Sequence, residues 1–129
     1  MEADTDGNLI ISSRHMDEVT KINRQTGEII WRLGGKNNDF TFGNEADLFY
    51  HQHDARRLEN GNLTLFDNGL PEVRPTSRAM EYALDEINMT ATVVAEYKNT
   101  PETFSVAMGS AQRLENGNTL VGWEVGIQL

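Results

Sequence analysis

"ARRLENGNLTLF", residues Ala55–Phe66, returns as "AQRLENGNTLVGW" at Ala111–Trp123. Six residues, Arg-Leu-Glu-Asn-Gly-Asn, are identical in the two copies (Arg57–Asn62 and Arg113–Asn118). A third copy, "TDGNLIISSR", starts at Thr5, and the three Gly-Asn pairs at Gly7, Gly61 and Gly117 set a period of about 55 residues. Asn-Gly between two alternating apolar runs is a hairpin signal, because glycine takes the left-handed backbone that a tight turn requires. The stretch therefore predicts a hairpin of strands Asp54–Leu58 and Asn62–Phe66 about Asn60-Gly61.

Outward from this hairpin the pattern stays β. "SRAMEYAL" (Ser77–Leu84) predicts a third strand, Asp85–Asn88 a turn, and "ATVVAEY" (Ala91–Tyr97) a fourth. Before it, Val19–Asn23 and Glu28–Leu33 predict two strands about the turn Arg24–Gly27. Gly, Asn and Asp interrupt every window in which a helical stripe would have to establish itself. Four short antiparallel strands recurring at this period describe propeller blades. The expected fold is thus all-β, a fragment of a β-propeller with about two to two-and-a-half blades of four antiparallel strands. Residues 1–35 would end one blade, 36–50 would link two blades, 51–97 would be a complete blade, and 98–129 would start the next. The linker "GGKNNDFTFGNEADLF" (Gly34–Phe49) reads as a long loop, and Trp31, Tyr82 and Trp123 as core between blades. The remaining blades are the first expected partner.

In a meander, alternate connections share an edge. The tight turns fall on one edge; Ser13–Glu18, Gly34–Gln52, Asp67–Thr76 and Lys98–Ala107 fall on the other. That second edge collects all three histidines, His15, His51 and His53, with Arg14, Asp54, Asp67, Asn68, Arg74 and Arg78. The chain has a net charge of −9 and a pI near 4.7, which argues against nucleic acid as a partner. A local cluster of His and Arg in an acidic protein suits a small anion such as sulfate, phosphate or carboxylate. There are no cysteines, which excludes disulfides, thiolate metal sites and Cys nucleophiles. No apolar run approaches the roughly 20 residues of a membrane span.

Each residue also has a plainer reading. His51 and His53 share one face of a strand by period 2, which is zinc spacing too. No third ligand stands at a motif spacing, so neither a metal nor another cofactor is expected. Arg78 can pair with Glu81 or Asp67, Arg74 between Pro71 and Pro75 can be solvated, and Asp67-Asn68-Gly69 can be a turn.

Four ordered segments, "SSRHMDEVTKINRQTGEIIWRLGG" (Ser12–Gly35), "QHDARRLENGNLTLFDNG" (Gln52–Gly69), "SRAMEYALDEINMTATVVAEY" (Ser77–Tyr97) and "GSAQRLENGNTLVGW" (Gly109–Trp123), resemble the arylsulfotransferase family of nucleotide-independent, bacterial-type enzymes. The resemblance implies a six-bladed propeller that transfers a sulfuryl group from an aryl sulfate to a phenolic acceptor. It also implies a His/Arg site in the central channel and a periplasmic or extracellular location. By motif it carries catalytic roles to His15, to His53, and to either Arg74 or Arg78; their neighbours on the same edge, His51, Asp67, Asn68 and Arg14, are the expected substrate-binding residues. The family's transiently sulfurylated histidine belongs to a later blade, and no histidine follows His53 in this sequence. Two other functions remain in view. One is a non-catalytic propeller that binds ligands or proteins through the same mouth. The other is a quinone-type dehydrogenase, whose repeats "INRQTGEIIWR" resembles but whose run of tryptophan repeats is absent.

Overall fold

The computed structural model describes residues 1–98 and 109–123, and they are all-β. The first sheet has the order β1 (Glu2–Ala3), β2 (Leu9–Ser13), β3 (Glu18–Ile22), β4 (Ile29–Leu33), all antiparallel. The second contains β5 (Thr41–Phe42), β6 (His53–Arg57), β7 (Leu63–Asp67), β8 (Arg78–Asp85) and β9 (Thr90–Lys98) in the order β5-β9-β8-β7-β6. A hairpin of β10 (Gly109–Arg113) and β11 (Thr119–Trp123) follows. Every strand expected from sequence is present within a residue or so. The sequence reading missed β1 and β5, each only two residues long and too short to show alternation. The linker Lys98–Ala107 lies largely outside the described residues, as does the side chain of Trp123.

The repeated segments build one turn three times. Leu58 N–H donates to Asn62 O at 2.7 Å and Gly61 N–H to Leu58 O at 3.0 Å. Leu114 with Asn118 and Asp4 with Asn8 repeat the first bond at 2.7 Å each. The loop has three residues, and its glycine sits at φ 91° in the central copy, a conformation a side chain would strain.

The first two sheets share a core. Ile10, Val19, Trp31 and Leu33 from one meet Ala55, Leu63, Leu65, Met80 and Tyr82 from the other. The linker between them is not a plain loop. Phe40 packs edge-on to Trp31 at 5.3 Å, and Phe42 and Phe49 both meet the Tyr82 ring. The same segment closes two outer strands. Asp39 takes both backbone groups of Arg32 on β4, its N–H donating to Arg32 O and its Oδ2 accepting Arg32 N–H, each at 2.8 Å. Two residues on, Thr41 N–H donates to Met89 O at 2.8 Å and β5 pairs in parallel with β9. The strap thus covers one end of β9 and one residue of β4, which blunts both edges against further pairing. Among the described residues no helix is long and apolar enough to cross a membrane.

Candidate functional site

β6 begins at His53, which pairs across the sheet with Phe66. β7 ends one residue later at Asp67, and the chain turns through Asn68 and Gly69. This places the buried Asn68 side chain beside the imidazole, with Nδ1 of His53 2.8 Å from Oδ1 of Asn68. An amide oxygen only accepts, so Nδ1 carries the hydrogen. In the neutral ring Nε2 then holds the lone pair. Asn68 is itself fixed, since its backbone oxygen accepts the Ser77 hydroxyl at 2.8 Å.

His51 does not share a strand face with His53, as period 2 had predicted. It precedes β6 and sits at φ 50°, in the left-handed region. Its N–H donates to Asp17 Oδ1 at 2.7 Å, which fixes this turn of the chain against the first sheet. Asp17 ends a single 3-10 turn, Arg14–Met16, that joins β2 to β3 and carries His15. The His15 and His51 rings meet edge-on with centroids 6.0 Å apart, and Arg14 Nη1 lies 3.4 Å from His15 Nδ1. Residues Asp54 and Arg56 form a local ion pair at 2.8 Å at the bulge in β6. Among the described residues no three His, Asp or Glu side chains gather to hold a metal ion.

Between the two histidines stands a residue that the sequence reading passed over. Gln52 is fully buried, and its amide donates to Ser12 Oγ and Glu18 O at 2.9 Å each. Ser12 Oγ in turn donates to Gln52 O at 3.3 Å. Gln52 thus clamps the His15 loop of the first sheet to the His53 strand of the second. A polar residue between two histidines has no periodic signature, so only its partners across 34 to 40 residues reveal the role.

Asp67 organises the arginines. It is fully buried; its Oδ1 accepts Tyr50 N–H at 3.0 Å and Gly69 N–H at 3.1 Å. Its Oδ2 accepts Arg78 Nε at 2.9 Å and also pairs with Arg74 Nη2. Arg78 further donates to Glu96 at 2.5 Å, to Ala46 O at 2.7 Å and to Leu48 O at 2.9 Å. All three of its nitrogens are engaged inside the protein. Burial works against its charge, but Asp67 and Glu96 outweigh burial and hold the guanidinium above its ordinary pKa. Arg74 also bonds Thr76 O, and its guanidinium lies 6.0 Å from the Tyr50 ring centre. Its side chain is 17% exposed against 4% for Arg78. Asp67 therefore braces the Gly69–Thr76 loop from within through Gly69 and Arg74, Arg78 ties Asp67 to the Ala46–Leu48 segment and to β9, and Arg74 retains contact with the surface.

Three groups result: His53 with Asn68, His15 with His51 and Arg14, and Arg74 with Asp67 and Arg78. They sit where the β2–β3 and β7–β8 connections and the start of β6 converge. A family model described as Arylsulfotransferase (ASST) matches residues 1–124. The chain belongs to the arylsulfotransferase family. No curated protein matches it. In this member of the arylsulfotransferase family, the structure assigns inward-facing partners to Asp67 and Arg78, both candidates by motif or position. It places the buried Asn68 oxygen against His53 Nδ1, a contact that sequence could not specify.

Proposed function

We propose that this chain forms part of the wall of a six-bladed propeller and takes part in sulfuryl transfer from an aryl sulfate to a phenolic acceptor. The observation that carries this reading is the bond from His53 Nδ1–H to the buried Asn68 oxygen, which presents Nε2 as a base. As the acceptor oxygen bonds to sulfur, its proton passes to Nε2. The departing phenolate takes back a proton, so charge and atoms balance over the cycle. The sulfuryl group spreads negative charge over three oxygens, which charge-assisted donors stabilise. Of the two candidate arginines, Arg74 is the better clamp, because Arg78 is spent on Asp67, Glu96 and two carbonyls. His15, held against His51, supports the sulfuryl group from the neighbouring sheet. The repeated turns and the meander order support the propeller reading, and the family's exported members support a periplasmic or extracellular setting.

The test is acceptor-dependent release of 4-nitrophenol from 4-nitrophenyl sulfate. His53→Ala is expected to lower transfer by about 100-fold, in the range of a lost acid–base group. Asn68→Leu should lower kcat by roughly 10-fold by releasing the tautomer, whereas Asn68→Asp, which still accepts from Nδ1–H, should keep most activity. Unchanged transfer in His53→Ala would refute the assignment. Absence of acceptor-dependent release in the wild type would favour a propeller that binds ligands through the same mouth without transfer.

A further inference from the structure

A cavity of about 360 Å³ opens beside the site, lined by His15, Met16, Asp17, Glu18, Lys36 and Asn37. Its size lies within the range of small-molecule pockets. Its two walls are locked together by glycine. Gly34 and Gly35 both have positive φ, and a Cβ at Gly34 would come within 2.7 Å of Asp17 O and of the Phe49 ring. A Cβ at Gly35 would come within 2.5 Å of Met16 O. The backbone of residues 34–35 therefore lies directly on the His15 loop, and the next residue, Lys36, lines the same cavity as His15.

The charges of this pocket are unequal in their commitments. Asp17 holds His51 N–H, and buried Glu18 takes the Thr20 hydroxyl and lies 3.7 Å from Arg32 Nε. Among the described residues no carboxylate pairs with Lys36, in a chain of net charge −9. An ammonium left unpaired amid such an excess of acid is available to an anion from solution. Beside it Met16 is 52% exposed, a polarizable thioether of the kind that contacts aromatic rings.

We propose that this cavity is the subsite for the aryl ring of the acceptor, and that it selects rings bearing a carboxylate remote from the reacting hydroxyl. Met16 covers the ring, and Lys36 with Asn37 binds the carboxylate. The proposal rests on the sulfuryl-transfer reading but has its own binding readout. In transfer assays, the ratio of kcat/KM for 4-hydroxybenzoate to that for phenol should fall about tenfold in Lys36→Gln, and further in Lys36→Glu, as one charge-assisted contact is lost. A ratio unchanged within twofold would overturn the proposal. If the wild type transfers to no phenol at all, the sulfuryl-transfer reading fails, and binding decides the subsite. 4-Hydroxybenzoate should then shift the Met16 methyl and His15 ring NMR signals of the wild type but not of Lys36→Glu, and phenol should shift them far less. An unmoved Met16 methyl under 4-hydroxybenzoate overturns the subsite whatever the activity.

Discussion

Arg57 and Arg113 open the same hexapeptide and the same turn, yet they solve different electrostatic problems. Arg57 joins the second sheet to the first. It pairs with Asp4 at 3.0 Å and Glu86 at 3.5 Å, donates to Gly61 O at 2.9 Å and lies over the Trp31 ring at 5.8 Å. Arg113 joins the β10–β11 hairpin to the second sheet through Glu81, and it bonds Thr119 Oγ1 at 3.3 Å. The cause is the residue each arginine meets. Lys21 faces Ile10 across its strand pair as Glu81 faces Thr64, and Ile10 and Thr64 each stand three residues after the turn glycine. Where the neighbour offers Glu81, the arginine bonds it directly. Where it offers Lys21, a carboxylate must stand between two cations. Asp4 does so, at 2.8 Å from Lys21, and Leu58 occupies the matching place in the next copy. Local sequence dictates the turn; the adjoining sheet dictates the charges.

The sharpest way to break this contrast is to convert one seam toward the other. Lys21→Glu sets a new carboxylate among Asp4, Asp6 and Glu86, and should cost about 4 kcal/mol in denaturant unfolding. Adding Asp4→Leu should restore roughly half of that loss, because Arg57 can then meet the new glutamate as Arg113 meets Glu81. A double variant no better than the single would show that the seams do not share one geometry. Next in size, Arg57→Ala should cost about 3 kcal/mol and Arg113→Ala about 1 kcal/mol, since the first side chain is 4% exposed and the second 28%. Equal losses would erase the distinction.

The smallest effect is a pH slope. Lys21 holds the Asp6 carboxyl at about 2, below its ordinary 3.8. Burial opposes ionisation of Asp4, but Lys21, the Thr5 N–H and Arg57 together keep it below its ordinary value too. The folded state therefore binds these protons less readily than the unfolded chain. Their stabilisation is complete above the ordinary carboxylate range and is lost as pH falls from about 4 towards 2. Asp6→Asn should flatten that slope in acid unfolding, and an unaltered slope would remove Asp6 from the seam. At the alkaline end, burial lowers the Lys21 affinity for its proton but Asp4 and Asp6 raise it more, so its contribution persists until pH exceeds its ordinary 10.5.

Much of this architecture is written in local sequence. Alternation and Asn-Gly turns are short-range signals, and they placed the longer strands. What escaped depends on distant partners. The commitment of Arg78 to Asp67 follows from strands pairing Asp67 with Arg78, which the sequence reading had as only one of two options. The left-handed turn at His51 follows from Asp17, 34 residues away. The linker, expected as a long loop, gave no sign of its packing role although Phe40, Phe42 and Phe49 recur through it. Aromatics without a regular period carry no secondary-structure signal, but they do mark a segment with something to bury.

That linker has a consequence for where the chain can be divided. Residues 38–42 finish the outer edge of the first sheet and begin the protection of the second, so neither sheet owns them alone. A protease nick or an inserted tag between Asn38 and Phe42 would uncover β4 and β9 together and turn one lesion into two adhesive edges. The turn Arg24–Gly27, whose bonds among the described residues stay within the first sheet and its turns, is the safer place for a label or a splice. For anyone building variants of this protein, the working module is a sheet together with the strap that follows it.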